Sequence, residues 1–488
     1  MFCGQVVLAR RMAIRSFSIV DETSSGPVEA LNRCCVLRRI SSARHIPSKM
    51  FTRFFLIAVA GLMFSQPVFA LPAFARRYGT SCTTCHAIIP KLNPFGIAFR
   101  NNGYRIPVND EKFVKTPDVS LGAPEWKKVW PKAVWPGAIP AAAPISFRAV
   151  ADAEMKSPQP RLNFDFPKFL ALYFAGAAGD SISYFGQVAL DGTSGSVQID
   201  RAYAQFKLTP ERPGFNWAML KVGRIDGRAE PFSSTYRRTT SESFNVSDYL
   251  VFKDGFRLRG REPGIELWGA ATGPDDRGGL EYAVGVVQAA GPGAEYATAL
   301  SVGEPESYNF KDYYWSASYK FFGNGVVGSR HEKESLDTMH NYAEKSLQLG
   351  TFGYRGKRDP EIAGFDEDEF TRSGLKLDLY YQNLNLYGAV VLGKDTLEAP
   401  VPRIVKSSAF FVEADYMALP WVMPLIRFEK TNYSDGRRSV VAAVPAVNLA
   451  IRANVRLEIE GRFFNRAFTA RDTRSGINQA VFRLDFLF

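Results

Sequence analysis

The sequence predicts an all-β transmembrane barrel of about sixteen antiparallel strands, which follows a small α-helical N-terminal domain. From about residue 144 to residue 488 the chain is a succession of segments in which apolar and polar side chains alternate. Aromatic residues make up 13% of the sequence, and the last alternating segment ends in Phe488. A soluble β-sandwich shows the same alternation, but the export signal described next and the terminal aromatic residue favour a barrel in the outer membrane.

The export signal begins at Met50. Lys49 and Arg53 supply the positive charge, an apolar run follows, and Val-Phe-Ala at 68–70 is a cleavage site of the small-x-Ala type. The apolar run is shorter than the ~20 residues that a transmembrane helix needs. We therefore expect residues 50–70 to be a signal peptide.

The residues before Met50 do not fit a folded domain. Residues 1–49 are basic and lack periodicity, and we interpret them as translated upstream sequence from a misplaced start codon. The alternative is a long genuine extension. Residues 1–70 hold nine of the 60 basic and three of the 49 acidic residues, so the remaining chain has a net charge of +5. This balance implies no nucleic-acid partner.

The motif that carries chemistry is Cys82-Thr83-Thr84-Cys85-His86, which contains the only cysteines after residue 70. C-x-x-C-H is the attachment site of a c-type haem, in which two thiols form thioethers and the histidine ligates the iron. The alternatives are a disulfide or redox pair, and a zinc site that would require two more nearby ligands. We predict one covalently bound haem c at Cys82, Cys85 and His86, with His86 as the proximal iron ligand.

The haem-binding domain is predicted to span residues 71–109, followed by a Pro-, Ala- and Trp-rich linker over 110–143 and the barrel over 144–488. A domain this short cannot bury a haem by itself, so we expect it to take a wall from the barrel lumen and to plug or cap the periplasmic mouth. Six apolar side chains are candidates for covering the porphyrin: Phe74, Tyr78, Ile88, Leu92, Phe95 and Phe99.

The sixteen strands can be placed from the alternation alone. The predicted starts lie near residues 145, 168, 182, 197, 215, 264, 280, 312, 347, 372, 384, 408, 421, 438, 454 and 479. An even number fits a bacterial barrel, which closes so that no backbone edge faces lipid. If the first strand starts in the periplasm, the long 227–262 and 291–309 connections are external. The 326–346 segment then falls on the periplasmic side, where it is either a genuine inward loop or a sign that the count slips.

The run from Phe74 to His86 and its continuation from Pro90 to Tyr104 resemble the fused outer-membrane cytochrome–porins of iron-oxidising bacteria. In that family a monohaem domain precedes a sixteen-stranded porin, and members are linked to oxidation of extracellular Fe(II). The resemblance covers the whole mature chain in architecture and is specific over residues 74–104. It implies the haem-binding roles of Cys82, Cys85 and His86.

The sixth iron ligand is not set by the sequence, because no Met or His lies between His86 and Met155. The remaining donors include Lys91 and the N-terminal amine. The others are Met155, Met219, Met339, Met417, Met423, His331 and His340. Met417 and Met423 are in phase with charged residues of their strands, which predicts that both face the lumen.

Three functions are compatible with these features. The first is an electron conduit, a candidate Fe(II) oxidase of the iron:cytochrome c oxidoreductase type. It would accept electrons from extracellular Fe(II) and pass them to a periplasmic cytochrome c or another carrier. The second is a solute porin with a haem-bearing plug, and electron export to extracellular acceptors is a variant of the conduit. The third is a haem enzyme or sensor. Asp366-Glu367-Asp368-Glu369 is predicted to be an external acidic run with oxygen ligands suited to Fe(II).

Overall fold

The computed structural model describes the chain from Pro72 to Phe488 with several gaps. The described ranges are 72–116, 119–120, 138–139, 144–157, 161–178, 181–192, 195, 197–210, 212–252, 256–259, 261–288, 311–331, 336, 341–358, 367–398, 402–436, 439–464 and 478–488. The proposed upstream sequence 1–49, the signal peptide 50–70 and most of the linker lie outside these residues. In the part of the chain described, no helix is long and apolar enough to cross a membrane.

Sixteen antiparallel strands form a closed barrel, as the sequence predicts. The strands are β1 Ile145–Lys156, β2 Arg161–Ala178, β3 Ile182–Asp191, β4 Val197–Lys207, β5 Phe215–Asp226, β6 Arg261–Thr272, β7 Arg277–Gln288, β8 Lys311–Asn324, β9 Glu344–Arg358, β10 Glu367–Gln382, β11 Leu384–Glu398, β12 Arg403–Tyr416, β13 Val422–Tyr433, β14 Val440–Arg452, β15 Val455–Phe464 and β16 Gln479–Leu487. Each pairs with its neighbours in sequence, and β16 pairs with β1.

The two faces of the barrel wall differ in polarity in the way that lipid outside and a polar lumen require. On β10, Leu375 and Tyr381 are exposed on the outside, whereas Asp378 is buried inside. On β12, Val412 faces out and Glu413 faces in. The wall is therefore a porin-like barrel of the outer-membrane type, and the predicted alternation of apolar and polar side chains is confirmed on these strands.

The long connection between β5 and β6, residues 227–260, folds into the barrel and is called the inward loop below. Its apolar side chains pack against strands β9 to β12 in one buried cluster, where Phe244 stacks on Phe411 at 4.4 Å between ring centroids. It contains a single helical turn, Asn245–Asp248. Ion pairs such as Arg237–Asp378 at 2.9 Å also join it to the wall. Side chains of this loop thus occupy part of the lumen.

Residues 72–116 pack against luminal side chains of the barrel wall. They form helices α1 Ala73–Tyr78, α2 Pro94–Asn101 and α3 Asp110–Phe113, and a two-stranded ladder of His86–Ile88 with Lys91–Leu92. Lys91 donates to Asn385 Oδ1 at 2.6 Å and pairs with Asp415, both buried on the luminal wall. We call residues 72–116 the N-terminal segment.

The closed sixteen-stranded barrel shows that the strand count does not slip between β8 and β9, and described residues of that connection contact the N-terminal segment. Leu336 belongs to the apolar cluster of Tyr78, Phe95 and Phe99. The Asn341 side-chain amide donates to the Thr84 carbonyl at 3.0 Å.

Deleting Phe488 is expected to impair barrel assembly. Its backbone exchanges two hydrogen bonds with Phe147 of β1, at 2.8 and 2.7 Å, which close the cylinder at its last residue. Each backbone bond contributes ~1 kcal/mol. The readout is heat-modifiable electrophoretic migration, with Phe463→Ala, an outward-facing aromatic on β15, as the control. Normal migration of the truncated protein would contradict the prediction.

Candidate functional site

The C-x-x-C-H motif forms one tight turn. Cys82–Thr84 is a 3₁₀ helix, and the Cys85 N–H donates to the Cys82 carbonyl at 3.2 Å. Residues three apart eclipse one another in this geometry, so the two thiols lie on the same side of the turn. The turn thereby presents two thiols and the adjacent imidazole to a single cavity, which Cys82, Cys85 and His86 all line.

Asn93 fastens this turn to helix α2. Its Oδ1 caps the helix by accepting from the Gly96 N–H at 2.9 Å, and its side-chain amide donates to the Thr84 carbonyl at 3.0 Å. Pro94 takes the first helical position, where its missing N–H costs nothing. Gly96 permits the close approach, because a Cβ there would lie 2.1 Å from the Cys85 carbonyl oxygen.

His86 is held in one tautomer. Its Nδ1 lies 3.1 Å from the Pro90 carbonyl oxygen, which can only accept, so Nδ1 carries the proton and Nε2 keeps its lone pair. Burial lowers the pKa of His86 to about 4. The imidazole is therefore neutral near pH 7, as a ring nitrogen must be to bind a metal.

The surroundings of Cys82 do not favour the reactive thiolate form. Burial raises the pKa of its thiol to about 11. A redox-active or zinc-binding cysteine is usually found with a lowered pKa, next to cations or a metal. The environment of Cys82 thus disfavours the catalytic redox-pair reading of the motif.

The cavity beside the motif has a volume of about 600 Å³, within the ~300–1,000 Å³ typical of ligand and cofactor pockets. Five of the six predicted porphyrin-covering residues line it, whereas Ile88 packs instead against Met417 and Met423. The apolar lining from the N-terminal segment comprises Phe74, Tyr78, Leu92, Phe95, Phe99 and Tyr104.

The barrel supplies the other walls. Phe169, Tyr173 and Phe185 project from β2 and β3, and Tyr236 comes from the inward loop. The Tyr104 and Tyr203 hydroxyls are 2.8 Å apart, which ties the N-terminal segment to β4 across the cavity edge. An apolar pocket with two thiols, a neutral imidazole and several arginines fits a covalently held porphyrin with its two carboxylates.

None of the described candidates for a sixth ligand lines this cavity. Met417 and Met423 face the lumen but are buried around Ile88, and Met219 packs against Trp268. The Lys91 ammonium is bound to Asp415, and the His331 side chain is 90% exposed. Met339, His340 and the predicted N-terminal amine at Leu71 lie outside the described residues.

The described part of the acidic run, residues 367–369, does not form one cluster, and Asp366 lies outside the described residues. Glu367 begins strand β10, so the carboxylates that follow alternate between the two faces of the wall instead of converging in a loop. Asp368 is buried in the lumen, while Glu367 pairs with Lys357 and Glu369 with Arg355. Within the described ranges, no group of three or more His, Cys, Asp or Glu side chains is placed to hold a metal ion.

Sequence reasoning missed the part of the site that comes from the barrel. Arg148, Arg201 and Arg483 on the strands, and Arg238 and Arg259 on the inward loop, line the cavity. They are separated by up to several hundred residues and share no motif. Asn93 before Pro94 was the one detectable signal, since Asn-Pro marks a capped helix start.

No known protein-family model matches the chain, and no curated protein matches it in sequence. Solved barrels resemble it in structure. Salmonella typhi OmpF, in complex with daunomycin, is 12% identical, with 70% of this chain and 97% of that chain covered and a TM-score of 0.45. The anion-selective porin from Comamonas acidovorans is 9% identical over 70% and 99%, with a TM-score of 0.45. The outer membrane channel DcaP of Acinetobacter baumannii is 11% identical over 70% and 96%, with a TM-score of 0.41.

Proposed function

We propose that this chain is an outer-membrane electron-transfer protein that carries one haem c inside its barrel. Electrons would come from an extracellular donor, Fe(II), and pass to a periplasmic cytochrome or another carrier. The observation that carries the proposal is the cavity beside Cys82, Cys85 and His86, with walls from both the N-terminal segment and the barrel.

The residues have distinct roles in this proposal. Cys82 and Cys85 would hold the porphyrin by thioether bonds, and His86 Nε2 would ligate the iron while the Pro90 carbonyl fixes the ring. When bound, the haem supplies one-electron chemistry. The aromatic side chains around the cavity would exclude water and keep the site apolar.

The packing of the lumen favours electron passage over solute passage. The inward loop fills one part with its apolar cluster, and the N-terminal segment fills another through buried ion pairs such as Arg100–Asp226. A solute porin keeps an aqueous channel through such a barrel. The porin-with-plug alternative would require these two elements to move aside.

Aromatic rings continue from the cavity into the barrel. Tyr104, Phe185 and Tyr203 follow one another with centroids 6.2 and 5.8 Å apart. A second group, nearer the β9–β10 connection, places Phe256 4.5 Å from Tyr354 and 4.2 Å from Phe370. These groups give a closely packed aromatic interior between the cavity and the strand ends that the topology predicts to be external.

The test uses liposomes in which the protein has one orientation. External Fe(II) is expected to reduce the haem, which is followed by its visible absorption bands, while no iron enters the interior of the liposome. His86→Ala is expected to abolish this reduction, because the proximal ligand is lost. His331→Ala, at an exposed histidine, is the matched control and is expected to behave like the wild type.

Three outcomes would contradict the proposal. If Fe(II) reduces the haem only when it is supplied on the periplasmic side, the conduit reading fails. If the liposomes pass small solutes at porin rates, the plug reading replaces it. Oxidation of a pre-reduced haem by an external ferric chelate, without reduction by Fe(II), would assign electron export.

A further inference from the structure

The wall of the haem cavity contains a cluster of arginines, most of which form ion pairs with carboxylates. Arg148, Arg483, Arg259 and Arg261 each have a carboxylate partner. The Arg148–Asp485 and Arg483–Asp152 pairs lie at 2.6 and 2.7 Å. Arg259 pairs with Asp248 at 2.9 Å, and Arg261 pairs with Asp200.

Arg238, on the inward loop, lacks such a partner. Its Nη1 donates to the Ser241 carbonyl at 3.0 Å, and no described carboxylate lies within ion-pair distance of it. The charge of Glu242 favours protonated Arg238, but the Glu242 carboxylate pairs with Arg462 at 3.6 Å. Arg238 therefore contributes a positive charge to the cavity for which the described residues supply no direct counter-ion.

The electrostatic surroundings of Arg238 are consistent with this geometry. Burial, followed by repulsion from Arg483 and Arg148, lowers the pKa of its guanidinium to about 10. It is still charged near pH 7. Arg238 is half-buried, and a guanidinium that is partly removed from water among other guanidinium groups is costly unless an anion accompanies it.

We propose that Arg238 binds a carboxylate of the ligand that occupies this cavity, and that this carboxylate is a haem propionate. The inference rests on the proposed function and adds the residue that orients the porphyrin and raises its reduction potential. Arg238 lines the same cavity as Cys82, Cys85 and His86. Its planar group matches a carboxylate with two parallel hydrogen bonds.

The measurement is the midpoint reduction potential of the intact protein in detergent. Reduction removes one positive charge from the haem, so a nearby cation favours the reduced form. Arg238→Gln is expected to lower the potential by about 59 mV, a tenfold shift of the one-electron equilibrium. Arg238→Lys keeps the charge and is expected to restore most of this loss. Arg403→Gln makes the same charge change on the β12 strand, away from the cavity, and is expected to leave the potential unchanged.

The possible results separate the two proposals. A wild type without covalent haem overturns the proposed function and this inference with it. A wild type with haem, in which Arg238→Gln has the potential of Arg403→Gln, overturns the inference alone. Loss of haem from both Arg238 variants, with a normally migrating barrel, also overturns it, because the lysine retains the charge. Loss from Arg238→Gln but not from Arg238→Lys supports it.

A free oxyanion such as phosphate could bind Arg238 through the same negatively charged oxygens as a haem propionate. An experiment on the wild type distinguishes the two. Phosphate is titrated at constant ionic strength while the potential is followed. A propionate that already occupies Arg238 leaves the potential independent of phosphate. A potential that falls as phosphate rises assigns the site to a free anion and overturns the inference.

Discussion

Replacing both Cys82 and Cys85 by alanine is expected to remove covalent haem completely, from one per chain to none. Thioether attachment needs the thiols, and no other cysteine follows residue 70. The barrel is expected to assemble, because both cysteines lie in the N-terminal segment and contribute no strand. The measurement is haem staining after denaturing electrophoresis, combined with heat-modifiable migration.

Thr83→Ala is the matched control for this double variant. Thr83 is exposed in the same turn, so its variant tests whether any change of sequence within the motif is enough to remove covalent haem. We expect full haem content in Thr83→Ala. Haem staining that survives denaturation of the double cysteine variant would refute attachment at this motif.

Lys91→Met is expected to have the next largest effect, a loss of ~3–5 kcal/mol from the docking of the N-terminal segment. The Lys91 ammonium and the Asp415 carboxylate are almost fully buried, at 2% and 3% exposure. Removing only the lysine leaves Asp415 buried without its main cation. Limited proteolysis within residues 72–116 and urea denaturation report the loss.

Two further variants test the cause. Lys91→Met combined with Asp415→Leu removes both charges, so most of the stability is expected to return. Lys345→Met is the control: this lysine lies 5.3 Å from the outward-facing Tyr381 ring, and its loss costs at most ~1 kcal/mol. Equal protease sensitivity of Lys91→Met and Lys345→Met would show that the buried pair does not anchor the segment.

The strands could be predicted because one physical rule acts along the whole wall. Lipid outside and polar groups inside impose the same two-residue period on every strand, so the alternation alone located all sixteen. The start of β2 was placed near 168, although the strand begins at Arg161. Pro167 lies inside this strand, where the pairing with β1 shifts register, and a bulge tolerates a residue without an N–H.

The site could be predicted only as far as it is local in sequence. The thiols, His86 and most of the aromatic lining lie within about thirty residues, and the motif identifies them. Arg238 and Tyr203 belong to no recognisable sequence motif, because only closure of the barrel brings them to the cavity. The acidic run at 366–369 was misread as a loop because a strand that begins with charged residues shows no apolar face at first.

The contacts of the N-terminal segment have a consequence for the order of assembly. It is synthesised before the barrel, yet Lys91 finds its partner 324 residues later, and Arg100 and Asn101 bind residues 126 and 180 positions away. Contacts so distant in the chain form slowly. The segment must therefore wait, unfolded or only locally ordered, until strands β5 to β12 exist. That interval is when the Cys82 thiol, buried in the finished protein, would be open to attachment of the cofactor proposed above. Such attachment would therefore precede closure of the barrel.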